Sequence, residues 1–335
     1  MENINVRKIA VIGGDARSLI AAARLGESGY EVNLYGFCGE TEADSTAVVD
    51  SLCCSSSCAR PHELLHNLAG GDVRDCGAVC SSAEEAIDGC DAVILPLPAS
   101  KDGVRISMPL AGNTVLTLAE ICGIMASCNV RLLCGGKLPS GFVTLCESRG
   151  ISVFDYYGRE EFAIANAVPT AEGAIEIAMK ELPVTIDGSS ALVIGHGRIG
   201  KVLSRLLCAL GADVTVSARK PADLAWIKAE GYTPAETGKL SEVLSKKRYD
   251  AIFNTVPHTV LGAKELARIQ AGTLIVDLAS KPGGVDIKEA ERLSHNVIWA
   301  LSLPGKVAPV TSGHIIADTI LAHIGSNRKE GESCS

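Results

Sequence analysis

The residues in this chain best arranged for chemistry form a glycine-spaced turn, Gly195-His196-Gly197-Arg198-Ile199-Gly200. An apolar run, Ala191-Leu192-Val193-Ile194, leads into it and an apolar-periodic stretch leaves it, the setting a dinucleotide-binding turn requires. Gly195 permits the tight turn, Gly197 lets the backbone approach a pyrophosphate, and Gly200 lets the helix pack on the strand. Arg198 and Ile199 open a helix whose first N–H groups and partial positive charge face the phosphates. His196, inside the turn, is placed on phosphate rather than on a substrate. The next strand ends in Ser217-Ala218-Arg219-Lys220. An NAD site usually has a carboxylate there to hold the ribose hydroxyls. Here a hydroxyl and two cations stand where a 2′-phosphate would lie, which favours NADP, with NAD the alternative. Two later strand ends, Asn254-Thr255-Val256-Pro257 and Asp277-Leu278-Ala279-Ser280, are expected to line the nicotinamide ribose.

A second loop, Gly13-Gly14-Asp15-Ala16-Arg17, also follows an apolar strand. It lacks a third glycine, and its carboxylate would repel a phosphate. It reads as a substrate loop. Asp15 there is either a proton acceptor or the N-cap of the helix that follows. A third cluster, Cys54, Cys58, His62 and His66, recurs every four residues. Ligands along one straight helix span about three turns and cannot converge on one tetrahedral ion without a break. Pro61 is the one residue that could break it, and no metal site is expected.

The elements that must position these loops alternate strand and helix twice along the chain. In the first half, Lys8–Gly13, Glu31–Tyr35, Ala92–Leu95, Val130–Cys134 and Ser152–Asp155 read as strands. In the second, Ser190–Ile194, Asp213–Ser217, Ala251–Thr255, Thr273–Asp277 and Val297–Leu301 do. Such alternation implies parallel sheets covered on both faces. The expected fold is α/β: two Rossmann-like, doubly wound parallel-sheet domains with an interdomain cleft. Residues 1–165 form the first domain, 166–184 a connecting helix, 185–304 the dinucleotide domain, and 305–328 a helix returning to the first. Residues 38–60 read as an irregular insertion, and the polar tail from Ser326 is expected to fray.

Composition narrows the function classes. The chain has 335 residues, 47% hydrophobic and 21% charged, enough for two packed domains. A net charge of −8 without a basic stripe argues against nucleic acid as a partner. No run of eighteen apolar residues suggests a membrane span, and Met1–Val6 does not read as a signal peptide. A cytoplasmic protein with reduced thiols is expected, its 13 cysteines being odd in number. Self-association is compatible with the sequence.

Several segments resemble the A subunits of dipicolinate synthase from spore-forming bacteria. They are IAVIGGDAR (9–17), ILPLP (94–98), VPTAEGA (168–174), ALVIGHGRIG (191–200), DAIFNTVP (250–257), IVDLASKPGG (275–284) and ALSLPGKVAPVTSG (300–313). The Rossmann glycines are generic, whereas GGDAR and LPGKVAPVTSG are much more specific. Residues 38–85 match poorly. The resemblance implies oxidation of dihydrodipicolinate to dipicolinate, in the mother cell during sporulation, alongside a flavoprotein-like B subunit. It carries the dinucleotide role onto Gly195, Gly197 and Gly200 only. A cyclic dicarboxylate calls for cations, and Arg17, Lys137 and Lys306 are the candidates, each against the alternative of a solvated surface charge. Lys306 is expected just before a helix that Thr311 or Ser312 could cap. His258, after a dinucleotide-domain strand, is the second candidate proton acceptor behind Asp15.

Two other readings compete. An alanine-dehydrogenase-like enzyme would share the shape, and residues 276–284 look similar to a strand end of that family. Lys281, however, stands where that family has an acidic residue. The other is a nucleotide-binding protein without chemistry of its own, serving a flavoprotein partner.

Overall fold

The computed structural model describes residues 5–37 and 77–332. The chain divides into two units, one made of residues up to Ala163 together with those from Ala308 onward, the other Ile164–Val307.

In the first unit, β1 (Lys8–Ile12), β2 (Glu31–Tyr35), β3 (Ala78–Val79), β4 (Ala92–Ile94), β5 (Leu132–Gly135) and β6 (Ser152–Asp155) form one parallel sheet. Its order is β3-β2-β1-β4-β5-β6. Helices α1 (Ala16–Glu27), α2 (Ala83–Ile87), α3 (Leu118–Ser127) and α4 (Ser140–Ser148) cover it. The strand β1 is apolar without alternation because both its faces are buried. Ile9 and Val11 pack with Leu19 and Leu25 of α1, while Ala10 and Ile12 pack with Ile121 and Met125 of α3. Each such side chain removed from water contributes roughly 1.5–3 kcal/mol. The start of α3 is set by a capping box, Thr117 accepting from the Glu120 N–H and Glu120 accepting from the Thr117 N–H.

The second unit opens with α5 (Glu160–Glu181), whose first residues precede the division between the units. Six more strands follow: β7 (Ser190–Ile194), β8 (Asp213–Ala218), β9 (Thr233–Glu236), β10 (Ala251–Asn254), β11 (Leu274–Asp277) and β12 (Asn296–Trp299). Their order, β12-β11-β10-β7-β8-β9, is the arrangement of the first sheet read from its other edge. Helices α6 (Arg198–Ala209) and α7 (Pro221–Ala229) follow β7 and β8. The remaining helices are α8 (Leu240–Lys246), α9 (Ala263–Leu266), α10 (Ile287–Arg292) and α11 (Leu303–Val307). Alternate residues of β7 again face two cores, Ala191 and Val193 toward Leu203 and Leu207, Leu192 and Ile194 toward Leu240 and Leu266.

The last helix, α12 (Pro309–Glu332), belongs to the first unit. It lies so close to α1 that a Cβ on Gly313 would sit 2.7 Å from Ile20 and 2.8 Å from the Arg17 carbonyl oxygen. Ile316, Ile320 and Ile324 enter the core that α1 and β1 share, and the His323 ring stacks on Phe154 at 3.8 Å.

The two-sheet expectation holds, and several details differ. The strands β3 and β9 carry no clear sequence signal. The four residues of β9 contain Pro234, tolerated because this strand is at the sheet edge. The helix expected over 166–184 runs Glu160–Glu181 with Pro169 inside it. The helix α12 continues to Glu332 through the tail expected to fray. The expected insertion at 38–60 and the Cys54–His66 cluster lie outside the described residues. Among the described residues no helix is long and apolar enough to cross a membrane, and no cluster could hold a metal ion.

Candidate functional site

The candidate residues fall into two sets, one in each unit. In the second unit the turn between β7 and α6 has the geometry that its glycines require. Gly195 adopts φ +103°, and its N–H donates to the Ser217 carbonyl at 3.0 Å, tying the turn to the end of β8. A Cβ on Gly200 would lie 2.0 Å from the Gly195 carbonyl oxygen, so helix and strand meet here as closely as backbones can. A Cβ on Gly197 would meet no protein atom within 4 Å. Gly197 is also the N-cap of α6 and supplies no side-chain bond to its first N–H groups. That combination leaves an open, unblocked helix N-terminus beside bare backbone, which fits a pyrophosphate. Thr255 closes the turn from behind, its hydroxyl donating to the Ile194 carbonyl at 2.9 Å.

Several expected roles around this turn need correction. The His196 side chain is 1% exposed and turned into the protein, its Nε2 3.6 Å from Glu230 Oε2 and neither ring nitrogen hydrogen-bonded. It is sealed off from a phosphate. Burial pushes the imidazole below its ordinary pKa, against the pull of Glu230. The Ser217 side chain is also buried, its hydroxyl sharing a hydrogen bond with Thr237 at 3.2 Å. Arg219 and Lys220 are exposed just past β8, so of the three residues expected at the 2′ position the two cations are available.

Asn254 and Asp277 are 0% and 1% exposed and are bonded to each other rather than presented outward. The Asp277 carboxylate accepts from Asn254 Nδ2 at 2.8 Å, from the Ala279 N–H at 3.1 Å and from the Gly284 N–H at 2.8 Å. Asn254 Nδ2 also donates to the Val256 carbonyl, and Trp299 Nε1 to the Ala279 carbonyl. These residues knot together the carboxyl ends of β10 and β11. Ala279 is buried with them, whereas Pro257 and His258 are exposed beyond β10. Gly284 enters the sequence reading only as the end of the segment IVDLASKPGG, and Trp299 carries no signal in the sequence. Ile199 is half-buried and Arg198 exposed in the first turn of α6.

In the first unit the loop after β1 lies at the point where strand order reverses between β1 and β4, the place where doubly wound sheets bind ligands. Gly13 and Gly14 have φ +65° and +110°, and the Gly13 N–H donates to the Tyr35 carbonyl. Asp15 is the N-cap of α1, accepting from the Arg17 N–H at 3.0 Å. Both of its oxygens also take the Arg17 guanidinium, at 2.9 Å from Nε and 2.8 Å from Nη2. Its capping alternative is thus realised, with both carboxylate oxygens engaged by Arg17. Arg17 Nη2 further donates to the Leu97 carbonyl at 2.6 Å, holding the loop after β4 against α1. Burial works against the guanidinium charge, yet the Asp15 pair outweighs it and the net pKa shift is upward.

Neighbouring loops complete this strand-end cluster. Tyr156, fully buried, donates to the Leu95 carbonyl at 3.0 Å. The Ala99 N–H donates to Gly136, and the Gly136 N–H to Pro96. The Asp155 carboxylate accepts from the Lys137 and Leu138 N–H groups, both at 3.0 Å, and Lys137 adopts φ +56° with an exposed side chain. Tyr156 and Asp155 are positioning residues that no motif marks, although Asp155 ends a readable strand. Lys306 is exposed within α11, in the second unit. The helix after it begins at Pro309, so Thr311 and Ser312 lie inside α12 and do not cap it; the Ser312 hydroxyl donates back to the Ala308 carbonyl.

Comparisons with known proteins agree with this layout. Residues 8–57 match the N-terminal domain family of dipicolinate synthase A subunits. Residues 167–285 match the NAD-binding domain of D-isomer specific 2-hydroxyacid dehydrogenases. The chain is 32% identical over 314 residues to the dipicolinate synthase A subunit of Bacillus subtilis (strain 168), covering 93% of this chain and 94% of that one. The crystal structure of the dipicolinate synthase A chain from Bacillus subtilis superposes with a TM-score of 0.77 at 30% identity, covering 97% of each chain. That of the dipicolinate synthase A subunit from Bacillus halodurans gives 0.76 at 26% identity, covering 96% and 98%. The second unit is therefore a nicotinamide-dinucleotide-binding domain of dehydrogenase type, and the chain belongs to the family of dipicolinate synthase A subunits.

Proposed function

We propose that this chain oxidises dihydrodipicolinate to dipicolinate with NADP as the hydride acceptor, as one half of a sporulation enzyme that pairs with a flavoprotein-like B subunit in the mother cell. The observation that carries the NADP reading is the end of β8. No carboxylate stands there, and Arg219 and Lys220 are exposed beside the open turn of Gly195 and Gly197. Bound NADP supplies the acceptor for a hydride leaving one ring carbon, while a neighbouring ring carbon loses a proton. The chain then has two tasks, to orient the substrate ring and to accept that proton.

The first task falls to the strand-end cluster of the first unit. Among the described residues Arg17 Nη1 has no partner, and this leaves it for a substrate carboxylate while Asp15 and the Leu97 carbonyl hold the rest of the fork. Lys137, exposed at the end of the neighbouring strand, suits the second carboxylate. Of the two candidate proton acceptors, His258 is the better placed for exchange with solvent, since the Asp15 oxygens are engaged.

Two substitutions test these assignments. Arg17→Lys keeps the charge and loses the planar fork, so substrate KM is expected to rise by about tenfold or more, the loss of a charge-assisted hydrogen bond of about 1.5–3 kcal/mol. Steady-state kinetics with unchanged KM and kcat would remove Arg17 from the site. Arg219→Ala is expected to weaken NADP by about tenfold while leaving NAD within about twofold. Equal losses for the two dinucleotides in a fluorescence titration would overturn the NADP assignment.

The activity itself is tested with the purified chain, NADP and freshly made dihydrodipicolinate, with and without the B subunit, following NADPH and dipicolinate absorbance together. Joint appearance of both products with this chain alone supports the reading in full. Joint appearance only with the B subunit supports a two-subunit enzyme. Failure of dipicolinate to form in either arrangement would overturn the substrate, and turnover of alanine with NAD would replace it with the amino-acid dehydrogenase reading.

A further inference from the structure

The two units carry the same turn, and they differ in what lies over it. Ile12 pairs with Tyr35 across β1 and β2 as Ile194 pairs with Ser217 across β7 and β8. The next residue in each case is a glycine whose N–H donates to that partner's carbonyl, Gly13 to Tyr35 at 2.8 Å and Gly195 to Ser217 at 3.0 Å. Two residues further on, Asp15 and Gly197 are the N-caps of α1 and α6. The first unit therefore has the backbone of a nucleotide turn, with Gly36 just past the end of β2.

Met108 fills the space over that turn. A Cβ on Gly13 would lie 2.5 Å from Met108 Cγ and 3.3 Å from the Ser107 carbonyl oxygen. A Cβ on Gly36 would run into Met108 Cε. The methionine thus reaches from the end of β1 to the end of β2, seated on two residues that lack a side chain. In a doubly wound sheet this is the span that receives the first phosphate and the ribose of a nucleotide. The link between β4 and α3, residues 95–117, carries Met108 there. It is pinned on itself. The Ile106 N–H donates to the Leu116 carbonyl at 2.9 Å, the Ser107 N–H to Ala99 at 2.9 Å, and the Leu118 N–H to Val104 at 2.8 Å. Ile106 and Leu116 are buried in the core that α2 and α3 share. The corresponding link in the second unit, between β10 and α9, is only residues 255–262, and a Cβ on Gly197 there meets nothing within 4 Å.

The geometry points to Met108 as a specificity-determining residue, which keeps nucleotides off the first unit's turn and leaves these strand ends to a smaller ligand. Asp15 bars a phosphate by taking the Arg17 N–H at the start of α1. Met108 removes the room for a ribose whatever its charge, and its apolar chain offers the hydroxyls no hydrogen bond. The inference rests on the proposed function only for the identity of the smaller ligand, and its test involves no dicarboxylate.

Equilibrium dialysis of the full chain, with the second unit saturated by NADP, makes that test. Labelled adenosine carries no charge for Asp15 to oppose, so it reads the room alone. Met108→Ala is expected to bind it about tenfold or more tighter than the wild type does. Counting bound NADP gives the second reading. The wild type and Asp15→Gly, a mild exchange at an N-cap, are each expected to bind one NADP per chain. Asp15→Gly with Met108→Ala is expected to bind two. A second NADP in Asp15→Gly alone would make the carboxylate the whole barrier and overturn the inference. Equal adenosine binding by the wild type and Met108→Ala would overturn it as well, and so would a single NADP in a folded combined variant. Should the combined variant fail to fold, the adenosine comparison decides.

Discussion

Gly200→Ala is expected to weaken dinucleotide binding by on the order of 100-fold, because displacing a binding element by about 1 Å costs that much. The added Cβ would lie 2.0 Å from the Gly195 carbonyl oxygen, and neither partner is a flexible side chain that could swing aside. Helix α6 must move off β7, and the N–H groups at its start move with it. The Gly195 N–H bond to Ser217 and the Thr255 bond to Ile194 are strained by the same displacement. Gly197→Ala supplies the contrast. Its Cβ meets nothing in the protein within 4 Å, so the melting temperature is expected to stay close to that of the wild type. Binding is nonetheless expected to fall, since on the proposed reading the methyl group stands where the pyrophosphate approaches. Calorimetric titration of both variants, beside thermal melts, checks the pair. Undiminished NADP affinity in Gly200→Ala would show that the dinucleotide does not use this turn.

Asp277→Ala is expected to destabilise the second unit by on the order of 3–5 kcal/mol, the cost of leaving several buried N–H donors without an acceptor. Asn254 Nδ2 and the N–H groups of Ala279 and Gly284 would all lose their acceptor in a place closed to water. At about 2–4 °C per kcal/mol for a unit of this size, the melting transition should fall by roughly 10 °C. Asp277→Asn keeps the volume and one carbonyl oxygen, so a smaller loss is expected. Denaturant unfolding followed by Trp fluorescence is suited to the measurement, because Trp299 donates to the Ala279 carbonyl within the same knot. A loss below about 0.5 kcal/mol would place Asp277 among ordinary surface residues.

The parts of this molecule legible in the sequence are those where one residue type answers one backbone demand. The run Ala191–Ile194 followed by Gly195, Gly197 and Gly200 is such a case, since strand, turn and helix each need what stands there. The N-cap role of Asp15 is visible as an alternative for the same reason. Polar residues at strand ends are harder. Asn254 and Asp277 read alike whether they face a ligand or each other, and only the register Asn254↔Asp277 across β10 and β11 decides it. The direction of His196 is likewise a property of α6 and Glu230, not of the turn. The helix start after Lys306 is misread by a few residues because such starts rest on a single cap, and Pro309 opens α12 without the help of Thr311 or Ser312. The meeting of α5 and α6 along Ile175 and Met179 on one side and Leu206 and Leu210 on the other is written as ordinary helical periodicity. No local pattern says that two such stripes will lie side by side.

The close seat of Gly313 on α1 has a consequence for the order in which the chain takes shape during its synthesis. The second unit is one unbroken stretch, Ile164–Val307, and all its strands have been delivered once that stretch leaves the ribosome. The first unit is made first and finished last. Its sheet waits for Ile316, Ile320 and Ile324 to fill the core beside Leu19 and Leu25, and these residues come after the whole of the second unit. Until they arrive, the face of α1 that meets Gly313 is bare apolar surface, and the half of the chain with the head start is the half that must be shielded longest.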